Sequence, residues 1–347
     1  MNAPGFPARI TSWLSASEVT APADIESAAL RSDRFRLERE EDWRRLENIV
    51  ARMERKGLAR IDDDDLLALP ALYRTAASSL AVARETSLDA ATLAYLEGLV
   101  QRAWFREFLL GGWSRAVRAI GLDILIALLV MVAGVVVGWL LVAGDEAWYF
   151  RLLPADLAGT RVPGASREML ARTLYNESDG AGLSAFAAYL FNNNAGVCIL
   201  AFALGFAFGI PSLMLLVHNM AMLGAILWLF DGVGLTMDFA AWLSVHGTTE
   251  LFGILLSGAA GLHIGRSMAF PGDQAVLSAA AAAGRRASVV MVGVVIMMIV
   301  AALLEAFARQ LVTDMGTRFA IGGTFLAFWL AYFFLYAPRG FESEVDR

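Results

Sequence analysis

The sequence predicts an all-α fold: a polytopic membrane bundle of about six transmembrane helices with an N-terminal soluble helical domain. Three observations carry that expectation. Hydrophobic residues make up 58% of the 347 and charged ones only 18%, a balance outside that of ordinary soluble domains. Apolar windows of the roughly 20 residues needed to cross a bilayer recur along the second half. Composition also changes abruptly, from charge-rich and helix-patterned over residues 32–108 to almost wholly apolar from Val117 onward.

The same composition removes several function classes. A formal net charge of -6 without a broad basic face argues against a nucleic-acid partner. Cys198 is the one cysteine, so neither a disulfide nor a zinc module is expected, and no metal or cofactor is called for. The first residues, MNAPGFPARITSWLSASEV, lack a cationic segment followed by a compact apolar stretch, so no signal peptide is expected.

Residues 1–31 are read as a flexible segment and 32–116 as a cytoplasmic helical domain. In DRFRLEREEDWRRLENIVARMERKG, Phe35, Trp43, Leu46, Ile49, Val50 and Met53 share one helix face, and Gly57 is placed to stop the helix. A second helix opens on the run Asp62 to Asp65, which suits capping and the positive end of a helix dipole. The oxygen spacing of a calcium loop is missing from that run. Pro70 falls beyond the first turn and is expected to kink or restart the helix. Thr86 or Ser87 would cap a third helix, LDAATLAYLEGLVQRAWFREFLL.

The bundle is expected over residues 117–338, with spans at 117–142, 183–209, 212–230, 239–265, 288–308 and 319–336, followed by a tail at 339–347. Six spans put both termini on one side. Arg102, Arg106, Arg115 and Arg118 precede the first span, Arg266, Arg285 and Arg286 lie between the fourth and fifth, and Arg339 follows the last. Under the positive-inside rule that side is cytoplasmic, and the spans are in contact with membrane lipid. Arg151, Arg161, Arg167 and Arg172 in the first loop weaken the bias. A short surface helix is expected around SREMLARTLYNE, and PGDQAVLSAAAAAGRR is expected to lie along the membrane surface. The short GIPS link leaves open a re-entrant pair in place of two full spans over 183–230.

Polar side chains inside the spans are costly and normally face a bundle interior or a watery cavity. The second span holds Asn192, Asn193 and Asn194, the third His218 and Asn219, the fourth His246 and Glu250, and the fifth Glu305. Counted at about 1.5 Å per residue from the outer ends, Asn193, Asn219, His246 and Glu250 can share one layer. His246 and Glu250, four apart, share a helix face. Either these groups bond neighbouring helices together, or His246 and Glu250 titrate in a proton or ion pathway. No zinc-protease order, catalytic triad or nucleophile elbow appears, so no enzyme is expected. Gly205 and Gly209 form a GxxxG pair, and with Gly224, Gly247 and Gly261 they suggest helices in close approach, which also allows a homodimer through the glycine faces.

FNNNAGV with its trailing Gly205 and Gly209, HNMAMLGA, and above all VHGTTELFGILLSGAAGLHIG resemble the stage II sporulation protein M family. That family shows Asn-Gly where this chain has Asn219 followed by Met220. DWRRLENIV, LPALYRTAASSLAVAR and LAYLEGLVQRA are similar to the cytoplasmic extension of its long, non-sporulating members. The resemblance implies a non-enzymatic scaffold or assembly protein of the cell envelope with envelope-remodelling partners. The alternative is a transporter or channel component that uses the Asn, His and Glu residues as a polar route.

Overall fold

The computed structural model describes residues 22–56, 63–85, 90–175, 193–308 and 311–336, all helical or connecting, with no strand among them. The chain divides into two compact units between Leu109 and Leu110, somewhat ahead of the boundary read from composition.

The first unit consists of α1 (Pro22–Lys56), α2 (Asp63–Glu85) and α3 (Ala90–Glu107). α1 begins ahead of the expected start at residue 32. The apolar face read from its sequence is the core: Leu46, Ile49 and Val50 are fully buried together with Leu69, Ala76, Leu96 and Leu99. Trp43 donates from its indole N–H to Ser79 Oγ at 3.2 Å, so its one polar atom is satisfied inside that core. Asp65, from the aspartate run, pairs with Arg52 of α1. α2 continues through Pro70 without a restart. The proposed stops and caps at Gly57, Thr86 and Ser87 lie outside the described residues.

The second unit contains α4 (Trp113–Ala119), α5 (Gly121–Gly144), α6 (Ala147–Leu152), α7 (Ala155–Ala158), α8 (Arg167–Tyr175), α9 (Asn193–Phe206), α10 (Ile210–Asp231), α11 (Thr236–Ala269), α12 (Val276–Leu303) and α13 (Met315–Leu330). α12 and α13 each end in a π-helical turn, Leu304–Ala308 and Ala331–Leu335. Among the described residues, five helices are long and apolar enough to cross a membrane: Gly121–Gly144, Ile210–Asp231, Thr236–Ala269, Val276–Ala308 and Met315–Leu335. Of the span expected at 183–209, residues 183–192 lie outside the described residues, and α9 is the shorter apolar remainder. The segment before the expected fifth span is helical from Val276 and continuous with α12, as its alanine run favours. The short helix expected near residue 167 is α8.

α11 is the axis of the bundle. It packs against α5, α9, α10, α12 and α13, and 72% of its apolar window is buried, against 22% for that of α13. Small residues let these helices meet backbone to backbone. A Cβ added at Gly205 would overlap the carbonyl oxygen of Gly261, one at Gly261 that of Ala201, and one at Gly265 the amide of Gly209. Gly138 and Gly224 do the same between α5 and α10, overlapping Ala221 and Val135. Met220, where the family pattern has glycine, lies against Gly134, so α5 supplies the space that α10 lacks. Gly209 has a second role: at φ 77 it adopts the left-handed conformation that turns the chain into α10.

These approaches fix direction. Gly134 meets Val217 and Met220 and Gly138 meets Ala221, so α5 and α10 run parallel; Gly258 meets Leu216 and Gly265 meets Gly209, so α11 runs against α10. Gly253 lies against Val294 and Met298, and Gly322 against Ser244. The chain begins and ends the bundle at one end, here the near end, where an Arg118 Nη donates to Tyr336 O at 2.9 Å. Trp113 closes that end, 4.9 Å edge-on to Phe333, in a space that Gly293 leaves for its indole.

Gly138→Leu places a side chain in the α10 backbone and is expected to cost about 1–3 kcal/mol or more. Gly144→Leu, where nothing lies within 4 Å, serves as control. Thermal unfolding in detergent with size-exclusion profiles should separate the two variants.

Candidate functional site

The first turns of α11 set up the site through aromatic packing. Phe239 stacks on Phe230 at 4.7 Å and on Trp242 at 5.9 Å, and Trp242 meets the His246 ring edge-on at 5.4 Å. Because these residues recur every three or four positions, Trp242, His246 and Glu250 form one stripe down α11. His246 and Glu250 are both buried, at 2% and 4% exposure.

The opposing wall comes from α9 and α10. Asn194 Nδ2 donates to Glu250 Oε2 at 2.8 Å, and Asn193 Nδ2 donates to Asn194 Oδ1 at 3.5 Å. Asn219 is buried on α10, where its amide nitrogen donates to Leu215 O at 3.4 Å. Asn193, Asn194, Asn219, His246 and Glu250 all line one cavity of about 140 Å³. A single water needs only ~10–15 Å³ of such space, so the cavity has room for several.

The cavity lies toward the far end of the bundle. Leu153, Leu157 and Arg161 of the α5–α8 connection line it there. The Arg161 guanidinium covers the Trp242 ring at 5.2 Å and bonds Thr173 Oγ1 through Nε at 3.2 Å. Tyr149 donates its hydroxyl to Arg161 O at 2.5 Å. Burial pushes the Tyr149 phenol up to about 12, against the opposing pull of the Arg161 charge, so it remains a protonated donor at physiological pH.

His218 lies on an exposed face of α10, and Glu305, buried in the turn after α12, is not among the residues lining the cavity. Gly205, Gly209, Gly224 and Gly261 sit at the close helix approaches described above. Gly247 is placed differently: it lines the cavity, and the atoms nearest an added Cβ belong to Leu243 of its own helix. Among the described residues, no three His, Cys, Asp or Glu side chains group as a metal site.

Sequence reasoning missed a second polar constellation near the other end of α11. Asp123, fully buried in the first turn of α5, accepts from Arg266 Nε at 2.8 Å and from an Arg266 Nη at 3.0 Å, and lies 2.9 Å from His263 Nδ1. An Arg286 Nη stands 3.3 Å from His263 Nε2. A lone carboxylate inside GLDILIALL was the available signal, by the rule that singled out Glu250. Arg318 was missed as well, since it was read as lying outside its span. It is 1% exposed, bonds Val312 O at 2.9 Å and Leu174 O at 3.1 Å, and covers the Tyr175 ring at 5.0 Å.

An all-helical bundle of membrane-length helices around a glycine-lined central helix, enclosing a buried Asn, His and Glu cavity, defines a polytopic membrane protein. The family model described as "Stage II sporulation protein M" matches residues 127–308, and the chain belongs to that family, as a long member with an N-terminal extension. A second model, a domain of unknown function (DUF8413), matches residues 33–107, within the first unit. No curated protein and no solved structure matches the chain significantly.

Arg266→Gln strips buried Asp123 of two charge-assisted hydrogen bonds. It is expected to lower stability by about 2–4 kcal/mol, whereas Arg285→Gln, on an exposed face, should stay within about 0.5 kcal/mol. Thermal unfolding of the purified variants checks both.

Proposed function

We propose that this chain is a non-catalytic assembly protein of the bacterial cell envelope, held in the inner membrane with both termini cytoplasmic. It would gather envelope-remodelling proteins around its bundle. The observation that supports this best is the division of labour in the chain: a glycine-packed bundle that begins and ends at Arg118 and Tyr336, and a separately cored helical unit. The exposed sides of α1 are dense in Arg and Glu, with pairs such as Arg34–Glu38 at 2.9 Å and Arg44–Glu40 at 2.7 Å. Such pairs add little to stability where exposed, and they give a partner charged groups to read. Arg115 and Arg118 of α4, Arg266 in the last turn of α11 and Arg285 and Arg286 in the first half of α12 lie toward the near end, which the positive-inside rule assigns to the cytoplasm.

A second reading, a transporter or channel component, is favoured by the cavity with its Asn194–Glu250 contact. One comparison separates the two. Removing residues 1–109 should abolish in-cell cross-links to envelope-remodelling partners while Glu250→Gln leaves them intact. A proton-linked flux in proteoliposomes that disappears in Glu250→Gln, with cross-links unchanged by the truncation, would reverse the assignment.

A further inference from the structure

At the near end of the bundle the charges do not balance, and the surplus is positive. Asp123 and Arg266 cancel one another. An Arg286 Nη lies 3.3 Å from His263 Nε2. A guanidinium can only donate, so Nε2 accepts and the imidazole is neutral, its Nδ1–H donating to Asp123. Arg286, half-buried, therefore keeps its charge uncancelled, and Arg285 beside it, exposed, adds a second. Among the described residues neither is paired with a carboxylate. Asp273 belongs to the link ahead of α12, whereas Arg285 is in the third turn of that helix, about 14 Å along it from Val276.

These cations stand at the head of an apolar stripe. On the outer face of α12, Arg285 is followed at helical spacing by Ser288, Val292, Val295 and Ile299, all exposed. In a helix that crosses a bilayer, the aliphatic part of such a stripe is covered by acyl chains. Val292 is about 10 Å along the helix from Arg285, so the polar boundary falls between them. α5 marks the same level: Leu122 is its first exposed aliphatic, and Asp123 next to it is joined to Arg286 through His263. Two positive charges at that boundary match a headgroup of net negative charge, and guanidinium groups pair well with phosphate oxygens. A soluble anion would satisfy the arginines and leave the stripe unused.

We propose that Arg285 and Arg286 bind the phosphate of an anionic phospholipid whose acyl chains lie along Val292, Val295 and Ile299. The assignment rests on the bundle spanning a membrane and stands independently of the assembly role.

The test is thermal unfolding of the full chain in an uncharged detergent with dioleoylphosphatidylglycerol, dioleoylphosphatidylcholine or inorganic phosphate at matched concentrations. Phosphatidylglycerol alone should raise the midpoint in a saturable way. Its apparent affinity should fall roughly fivefold in Arg285→Gln and further when Arg286→Gln is added. Arg172→Gln, on the exposed side of α8 at the far end, should leave it unchanged. An equal shift with phosphatidylcholine would mean acyl chains without charge recognition, and an equal shift with inorganic phosphate a free-anion site. An equal loss in Arg172→Gln would mean a diffuse charge effect. Any of these results, or no shift with phosphatidylglycerol, overturns the proposal. Should the double variant fail to fold, Arg285→Gln against Arg172→Gln still decides.

Discussion

Everything in the membrane unit depends on how closely α11 can approach its neighbours. In a bilayer the lipid chains are as apolar as leucine, so burying leucine between helices gains little, and association rests on dispersion, shape and interhelical hydrogen bonds. Gly261 and Gly265 bring the α11 backbone against α9 and the turn before α10, where any side chain would overlap main-chain atoms. Ser212 Oγ adds a hydrogen bond to Ala201 O at 2.5 Å at the same level. The rest of the bundle is arranged around that seam.

The seam also explains why polar groups are tolerated on both sides of it. α11 carries Glu250 toward one end and His263 with Arg266 toward the other, about 20 Å apart along the helix. At the near end the charges compensate one another, with Asp123 held by Arg266 and His263. Toward the far end Glu250 accepts from the Asn194 amide and lines the cavity. One helix thus holds a closed ionic contact and an open polar chamber. The closed contact reads as structural, and the chamber as the place where chemistry from outside the chain can enter.

Sequence patterns carried much of this, and the failures have physical causes. The α1 face from Trp43 to Met53 was legible because a 3.6-residue period maps onto one side of a helix. Residue counting placed Asn193, Asn219, His246 and Glu250 in one layer, and these four side chains line the same cavity. Asp123 and Arg318 were not, since each sits near a span end, where a charged side chain ordinarily reaches water and its burial depends on what packs over it. Gly134 and Gly138 were overlooked in a run of valines. Periodicity shows that small residues exist, but only the partner helix shows which of them are covered.

The hydrogen bond from Arg118 to Tyr336 O has a consequence for synthesis. Arg118 leaves the ribosome before any spanning helix, whereas the carbonyl it binds comes from the last turn of the bundle. The Trp113 indole, likewise early, waits for Gly293 and Phe333. During translation the unit therefore stays unlatched, its first helix without its final neighbours, until the closing residues have been inserted. A nascent chain stalled before α13 would leave uncovered the faces of α4 and α11 against which that helix and its closing turn pack.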